Sequence, residues 1–121
     1  MNKIQPIAFL YLALAIGLGA LGAHGIKPKV SPETLDIFKT GVHYQIVVAL
    51  VLIMKGEMLK NIENILLLLG SIFFSFSLYI ITYLKMSGTS IPVALGIITP
   101  IGGLLIISSL ILVAIRLLQN K

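Results

Sequence analysis

The sequence predicts an all-α polytopic membrane protein, a four-transmembrane-helix bundle with a kinked fourth helix. Three observations lead there. Hydrophobic residues make up 58% of the 121 residues and charged residues only 11%, where a soluble domain is about one quarter charged. The apolar residues gather into four runs, residues 6–23, 40–54, 62–84 and 91–118, and a helix needs about 20 such residues to cross a bilayer. Threaded alternately, the runs bring His43, Tyr44, Gln45, Ser75, Ser77, Tyr79 and Thr99 into one half of the membrane. The other half reads as almost purely aliphatic. Lipid tolerates polar groups only where protein or water satisfies them, so this asymmetry is the main functional lead.

Four spans and short connections account for residues 1–121 as one unit, with helices over residues 6–24, 32–54, 62–84 and 91–118. The first run has a positive start at Lys3 but is longer than the ~7–15 residue core of a signal peptide, so it reads as a retained helix. Pro6 suits a first turn, where a missing N–H costs nothing. Ala15, Gly19 and Ala23 form a stripe of small residues, and Ala13 and Gly17 a shorter one. Such stripes let membrane helices approach closely, inside a bundle or between subunits.

Ser31-Pro32-Glu33 reads as a helix start: serine caps, proline takes the first turn, and glutamate complements the dipole. The first turns of the second helix are amphipathic, with Asp36 and Lys39 toward water and Leu35, Ile37 and Phe38 toward lipid or bundle. Residues 55–61 and 85–90 are the next two turns. The fourth run contains Thr99-Pro100-Ile101-Gly102-Gly103. Proline removes a helical hydrogen bond and clashes with the carbonyl four residues back, here that of Gly96, so a kink or local unwinding is expected at Pro100, Gly102 and Gly103.

Cysteine is absent, which removes disulfides, thiolate metal sites and cysteine nucleophiles. The net charge of +5 is spread over the loops and tails as interfacial anchors, and no basic stretch carries the aromatic residues of a nucleic-acid surface. Lys3, Lys55, Lys60, Arg116 and Lys121 fall on the side of both termini, against Lys27, Lys29, Lys39 and Lys85 opposite. That balance leans toward cytoplasmic termini.

Helical rise places the polar residues at similar depth. With Asp36 at the interface, His43 lies about 10 Å deeper, and Thr99 lies about 12 Å below Ile91. His24 sits at the adjoining mouth. Ser75 and Tyr79 share one helix face, and Asp36, Lys39, Thr40, His43 and Tyr44 form one stripe. Two readings stand. The stratum is a binding site for a small polar ligand, ion or lipid headgroup, with His24, His43, Tyr44, Gln45, Ser75, Ser77, Tyr79 and Thr99 as candidates. Alternatively it is interhelical glue, worth about 0.6–2 kcal/mol per contact, with tyrosines as an interfacial belt. Two histidines without an intramembrane carboxylate make no metal site, and no catalytic, phosphate-binding or dinucleotide motif is present. No cofactor is expected, and an enzyme is the least supported class. The small size of the unit leaves little room for an internal cavity, so a homo-oligomer is expected more than a monomer.

Residues 18–25 (Leu-Gly-Ala-Leu-Gly-Ala-His-Gly), 40–45 (Thr-Gly-Val-His-Tyr-Gln), 74–79 (Phe-Ser-Phe-Ser-Leu-Tyr) and 98–103 (Ile-Thr-Pro-Ile-Gly-Gly) together resemble the signatures of a known family. It is domain of unknown function 423, small bacterial inner-membrane proteins similar to the transmembrane protein 256 group. The resemblance runs the whole chain in order. It implies a four-span fold in the cell membrane and no established activity. Against the family pattern, Val48 stands where a histidine is usual, Phe76 where a glycine is usual and Leu110 where a tryptophan is common. His43 stands where other members often have Gln or Glu.

Overall fold

The structure, a computed structural model, describes residues 3–120; Lys121, counted above with the termini, lies outside them. The described residues are helical almost throughout, and the first helical stretch is α1 (Ile4–Leu21). It runs into a wide π turn (Gly22–Ile26) and a 3-10 turn (Lys27–Lys29). Helix α2 (Pro32–Lys55) follows. The third stretch is divided: α3 (Asn61–Ser71), a π segment (Ile72–Phe76) and α4 (Ser77–Met86). Helix α5 (Val93–Gln119) completes the fold. Four continuous helical stretches, Ile4–Lys29, Pro32–Lys55, Asn61–Met86 and Val93–Gln119, are long and apolar enough to cross a membrane.

Local chemistry explains the ends. The Ser31 hydroxyl accepts a hydrogen bond from the Thr34 amide (3.2 Å), with Pro32 in the first turn of α2, satisfying an amide the helix itself leaves free. At α3 the Lys60 amide donates to the Glu63 carboxylate (2.9 Å). Gly88 takes φ +74° in the last turn, a conformation that favours glycine.

Helix α1 and the π turn after it pack on α2, and their buried residues Ala8, Tyr11, Ala15 and Gly22 follow the three, four and seven spacing of coiled-coil seams. A Cβ on Gly22 would come within 2.8 Å of the Phe38 ring, and one on Gly19 would rest 3.5 Å from Val42. The predicted small-residue stripe is thus divided: Ala15 is buried, Gly19 half-buried and Ala23 exposed. Gly22 takes the place in the seam that Ala23 was expected to hold, because seven residues, not eight, bring a seam back to the same face. Ala13 and Gly17 face outward, with open space around Gly17.

Helix α5 remains helical from Val93 to Gln119 with Pro100 inside it. The local unwinding expected there is not seen; the departures from α-helical geometry fall instead at Gly22–Ile26 and Ile72–Phe76. Gly102 serves contact. A Cβ there would meet the Gly70 carbonyl at 2.6 Å and Phe73 at 2.9 Å, and one on Gly70 would meet the Gly102 carbonyl at 2.8 Å. The two glycines let α3 and α5 touch backbone to backbone.

The core has two apolar clusters. One, near the loop that carries His24, contains Ile26, Leu35, Phe38 and Val42. The other, toward the termini, contains Ala8, Val48, Leu52, Leu59, Leu67 and Ile106. Between them lies a layer of polar side chains.

Candidate functional site

The polar layer is built where three helical stretches converge. Gln45, fully buried, donates from Nε2 to the Tyr11 carbonyl (3.0 Å) and accepts at Oε1 from the Tyr79 hydroxyl (2.6 Å). The Tyr11 hydroxyl shares a 2.7 Å hydrogen bond with Ser71. Ser75, also fully buried, donates to the Gly41 carbonyl (2.7 Å). Gly41 permits this approach, since a Cβ there would stand 3.1 Å from the Ser75 carbonyl and 2.7 Å from the Tyr79 ring. Phe76, where the family resemblance expects glycine, stacks parallel to Tyr11 (6.4 Å) and tilts against Tyr79 (5.3 Å).

A second contact joins α4 to α5. Ser77 and Thr99 lie 2.5 Å apart at their hydroxyls. With one proton on each hydroxyl, one donates across this contact and the other to a carbonyl of its own helical stretch, Phe74 for Ser77 (2.9 Å) or Leu95 for Thr99 (3.1 Å). The π segment sets this division of labour. An i→i+5 turn rotates the residues that follow it relative to an unbroken helix, so Ser71 and Tyr79 serve the α1 and α2 side while Ser77 turns to α5.

The eight sequence-predicted site residues therefore separate into two groups. Gln45, Ser75, Ser77, Tyr79 and Thr99 are tied to one another or to backbone carbonyls. His24, His43 and Tyr44 are exposed. His43 meets Tyr44 edge-on (5.4 Å), and Tyr44 meets Phe74 in the same way (5.0 Å). The stripe Asp36, Lys39, Thr40, His43 and Tyr44, all on α2, lines a shallow open groove of about 440 Å³ along that helix. It does not face the Ser75 and Tyr79 stripe: the face of α2 that does so carries Gly41 and Gln45. On the other side of Tyr44 a more enclosed crevice of about 210 Å³ lies between α2 and α5, lined by Tyr44, Phe74, Gly103, Ile106 and Ile107.

The half of the membrane expected to be aliphatic holds a polar cluster of its own. The Glu63 carboxylate, 2% exposed as a residue, receives the Arg116 guanidinium at both oxygens (2.8 and 2.7 Å). Ser109 donates to the Glu63 carbonyl (2.7 Å), and Asn64 Nδ2 donates to the Gly56 carbonyl (2.8 Å). Among the described residues Asn64 Oδ1 is buried without a partner. Glu63 and Arg116 sit at the ends of spans that meet on the same membrane side, and Ser109 precedes Arg116 by two helical turns. The signal was present, since an ionisable residue inside a span calls for a partner. Tyr11 and Ser71 were less legible, being single polar residues inside apolar runs. Among the described residues no group of three or more His, Asp or Glu side chains is placed to hold a metal ion.

Four spans, an internal polar layer and a lateral groove define a small polytopic membrane protein. The chain belongs to the family described as protein of unknown function (DUF423), whose model matches residues 18–103. It is 36% identical over 110 residues to the UPF0382 membrane protein YwdK of Bacillus subtilis, covering 84% of this chain and 85% of that protein. A UPF0382 membrane protein of Staphylococcus haemolyticus is 39% identical over 121 residues, covering 95% of this chain and 94% of its own. One from Staphylococcus aureus shows the same identity and coverage. No solved structure matches the chain.

Proposed function

We propose that this protein is a membrane-embedded binding protein of the bacterial cell membrane, and that its ligand sits in the lateral groove beside His43 and Tyr44. One observation carries this reading. The side chains buried in the polar layer use their hydrogen-bonding capacity on each other and on the backbone, whereas His43 and Tyr44 offer ring and polar atoms to an open groove. A buried and satisfied network specifies packing; unsatisfied groups lining a concave surface suit recognition. In this reading Gln45, Ser75, Ser77, Tyr79 and Thr99 hold the wall of the site. With both termini in the cytoplasm, as the lysine balance suggests, the groove opens on the outer face.

The test is an experimental structure in nanodiscs of native lipid extract. Continuous density in the groove against His43 and Tyr44 is the expected result. An unfilled groove, with density instead between Ser77 and Thr99 or beside Glu63, contradicts it.

A second reading, an accessory protein that acts by helix association, has one observation in its favour. Ala13 and Gly17 face outward, with no atom within 4 Å of a Cβ built on Gly17. Such a surface suits close packing of a second copy or another membrane protein. Gly17→Leu would then abolish a cross-linked dimer or partner complex in membranes; unchanged cross-linking removes this reading.

A further inference from the structure

We infer that the groove holds a phospholipid with an ammonium-bearing, zwitterionic headgroup, and this rests on the proposal that the groove is a binding site. The groove and the crevice share Tyr44 as a lining residue and so adjoin each other at its ring. Its outer part carries Asp36, Lys39, Thr40 and His43, and its inner part is formed by aromatic and aliphatic side chains with Gly103. A polar mouth leading to an apolar crevice matches an amphiphile lying along the bundle, head at the interface and chain beside α5.

The order of charges selects the head. Asp36 and Lys39 lie one turn apart on the exposed side of α2, and neither side chain makes an ion pair among the described residues. The Thr40 hydroxyl is turned back to the Asp36 carbonyl (2.8 Å), which leaves the two charged side chains as the outer recognition elements. Asp36 is the outermost, Lys39 about 4.5 Å deeper along the helix axis and Tyr44 about 12 Å deeper. An ethanolamine phospholipid presents its groups in the same order, ammonium outermost, then phosphate, then glycerol esters, then chains. Asp36 would take the ammonium, Lys39 the phosphate, His43 the ester region, and the crevice an acyl chain. A head of single negative charge would leave Asp36 repelled. The small opening that Gly103 leaves beside Phe74, where a Cβ would stand 3.6 Å from the ring, lets the chain lie close to α5.

Native mass spectrometry of the full chain, released from detergent, tests this with phosphatidylethanolamine, phosphatidylglycerol and diacylglycerol of matched chains. The expected result is one retained phosphatidylethanolamine, favoured over phosphatidylglycerol by about two- to five-fold, the scale of one exposed charge contact. Asp36→Asn should erase that preference, and Lys39→Gln should lower both phospholipids while phosphatidylethanolamine, still held at Asp36, keeps its lead over phosphatidylglycerol. Ile107→Trp, at an exposed position lining the crevice, should lower all three. If phosphatidylglycerol binds as well or better in the unaltered chain, or if Asp36→Asn keeps the preference, the headgroup assignment is overturned while the groove remains a lipid site. Displacement by equimolar soluble phosphoethanolamine would show that the head alone is recognised and overturn the lipid. Retention of no lipid, or retention unaffected by Ile107→Trp, removes the groove reading as well.

Discussion

Tyr79 and His43 lie close to each other in depth and do different things. The Tyr79 hydroxyl holds Gln45, which in turn holds the α1 backbone. Tyr79→Phe leaves a buried amide oxygen without its donor, and the expected loss is about 1–2 kcal/mol of stability. Thermal or steric-trapping unfolding in micelles measures it. His43→Ala, at an exposed position without a hydrogen bond to described residues, should stay within about 0.5 kcal/mol of the parent. At the other end, Glu63→Ala leaves the Arg116 guanidinium without its carboxylate. It should destabilise the fold, and the double change Glu63→Leu, Arg116→Leu should recover much of the loss, since removing both partners leaves no unpaired charge. A double mutant no more stable than Glu63→Ala would show that the pair does not act as a unit. Residue types and depths were legible in the sequence: Gln45 meets Tyr79 beside Ser75, and Ser77 meets Thr99 in a separate contact. Which residues of a stripe turn inward was not. The Asp36 to Tyr44 stripe and the Gly41–Gln45 face are centred about 150° apart around one helix, and only the partner helices decide between them.

Elements explain why the glycines of α5 are not alike. Gly102 meets Gly70 across the α3–α5 contact, whereas a Cβ on Gly103 would make ordinary contact with Phe74 at 3.6 Å. Gly102→Ala should therefore cost about 1–3 kcal/mol through forced separation of two backbones, and Gly103→Ala should be tolerated. The same unfolding assay, run on both variants, checks the difference; equal effects would mean that the backbone contact does not matter. The sequence marked Pro100 as the irregular point because proline lacks a donor. The helix nevertheless continues through it, while the π segment at Ile72–Phe76 carries no proline or glycine and left no local sign. Wide turns of this kind are set by tertiary demands, here the need to send Ser71, Ser75 and Tyr79 one way and Ser77 another. The exact seam of α1 was likewise open, because alanine and glycine occur on several of its faces.

At the scale of the whole molecule, the four apolar runs made the four-helix fold class plain, and the relatives are named membrane proteins. The polar layer divides the core into two apolar clusters, so helix register is fixed by directional bonds in a solvent that gives no hydrophobic drive between helices. The alternating topology has a direct check, made simple by the lack of native cysteine. Single cysteines at His24 and Ser87 should be labelled by an impermeant maleimide from one membrane side, and one at Glu57 from the other. Labelling of His24→Cys and Glu57→Cys from the same side would contradict the antiparallel order.

The central claim is that the buried layer maintains the fold while the lateral groove binds. The direct measurement is a paired one, lipid retention by native mass spectrometry and unfolding stability on the same samples, for Tyr79→Phe and for Lys39→Gln combined with Ile107→Trp. Tyr79→Phe is expected to lose stability and keep its bound lipid, and the groove variant to keep its stability and lose the lipid. Loss of lipid from Tyr79→Phe at temperatures where it remains folded, with retention in the groove variant, would place the site inside the bundle and contradict the account.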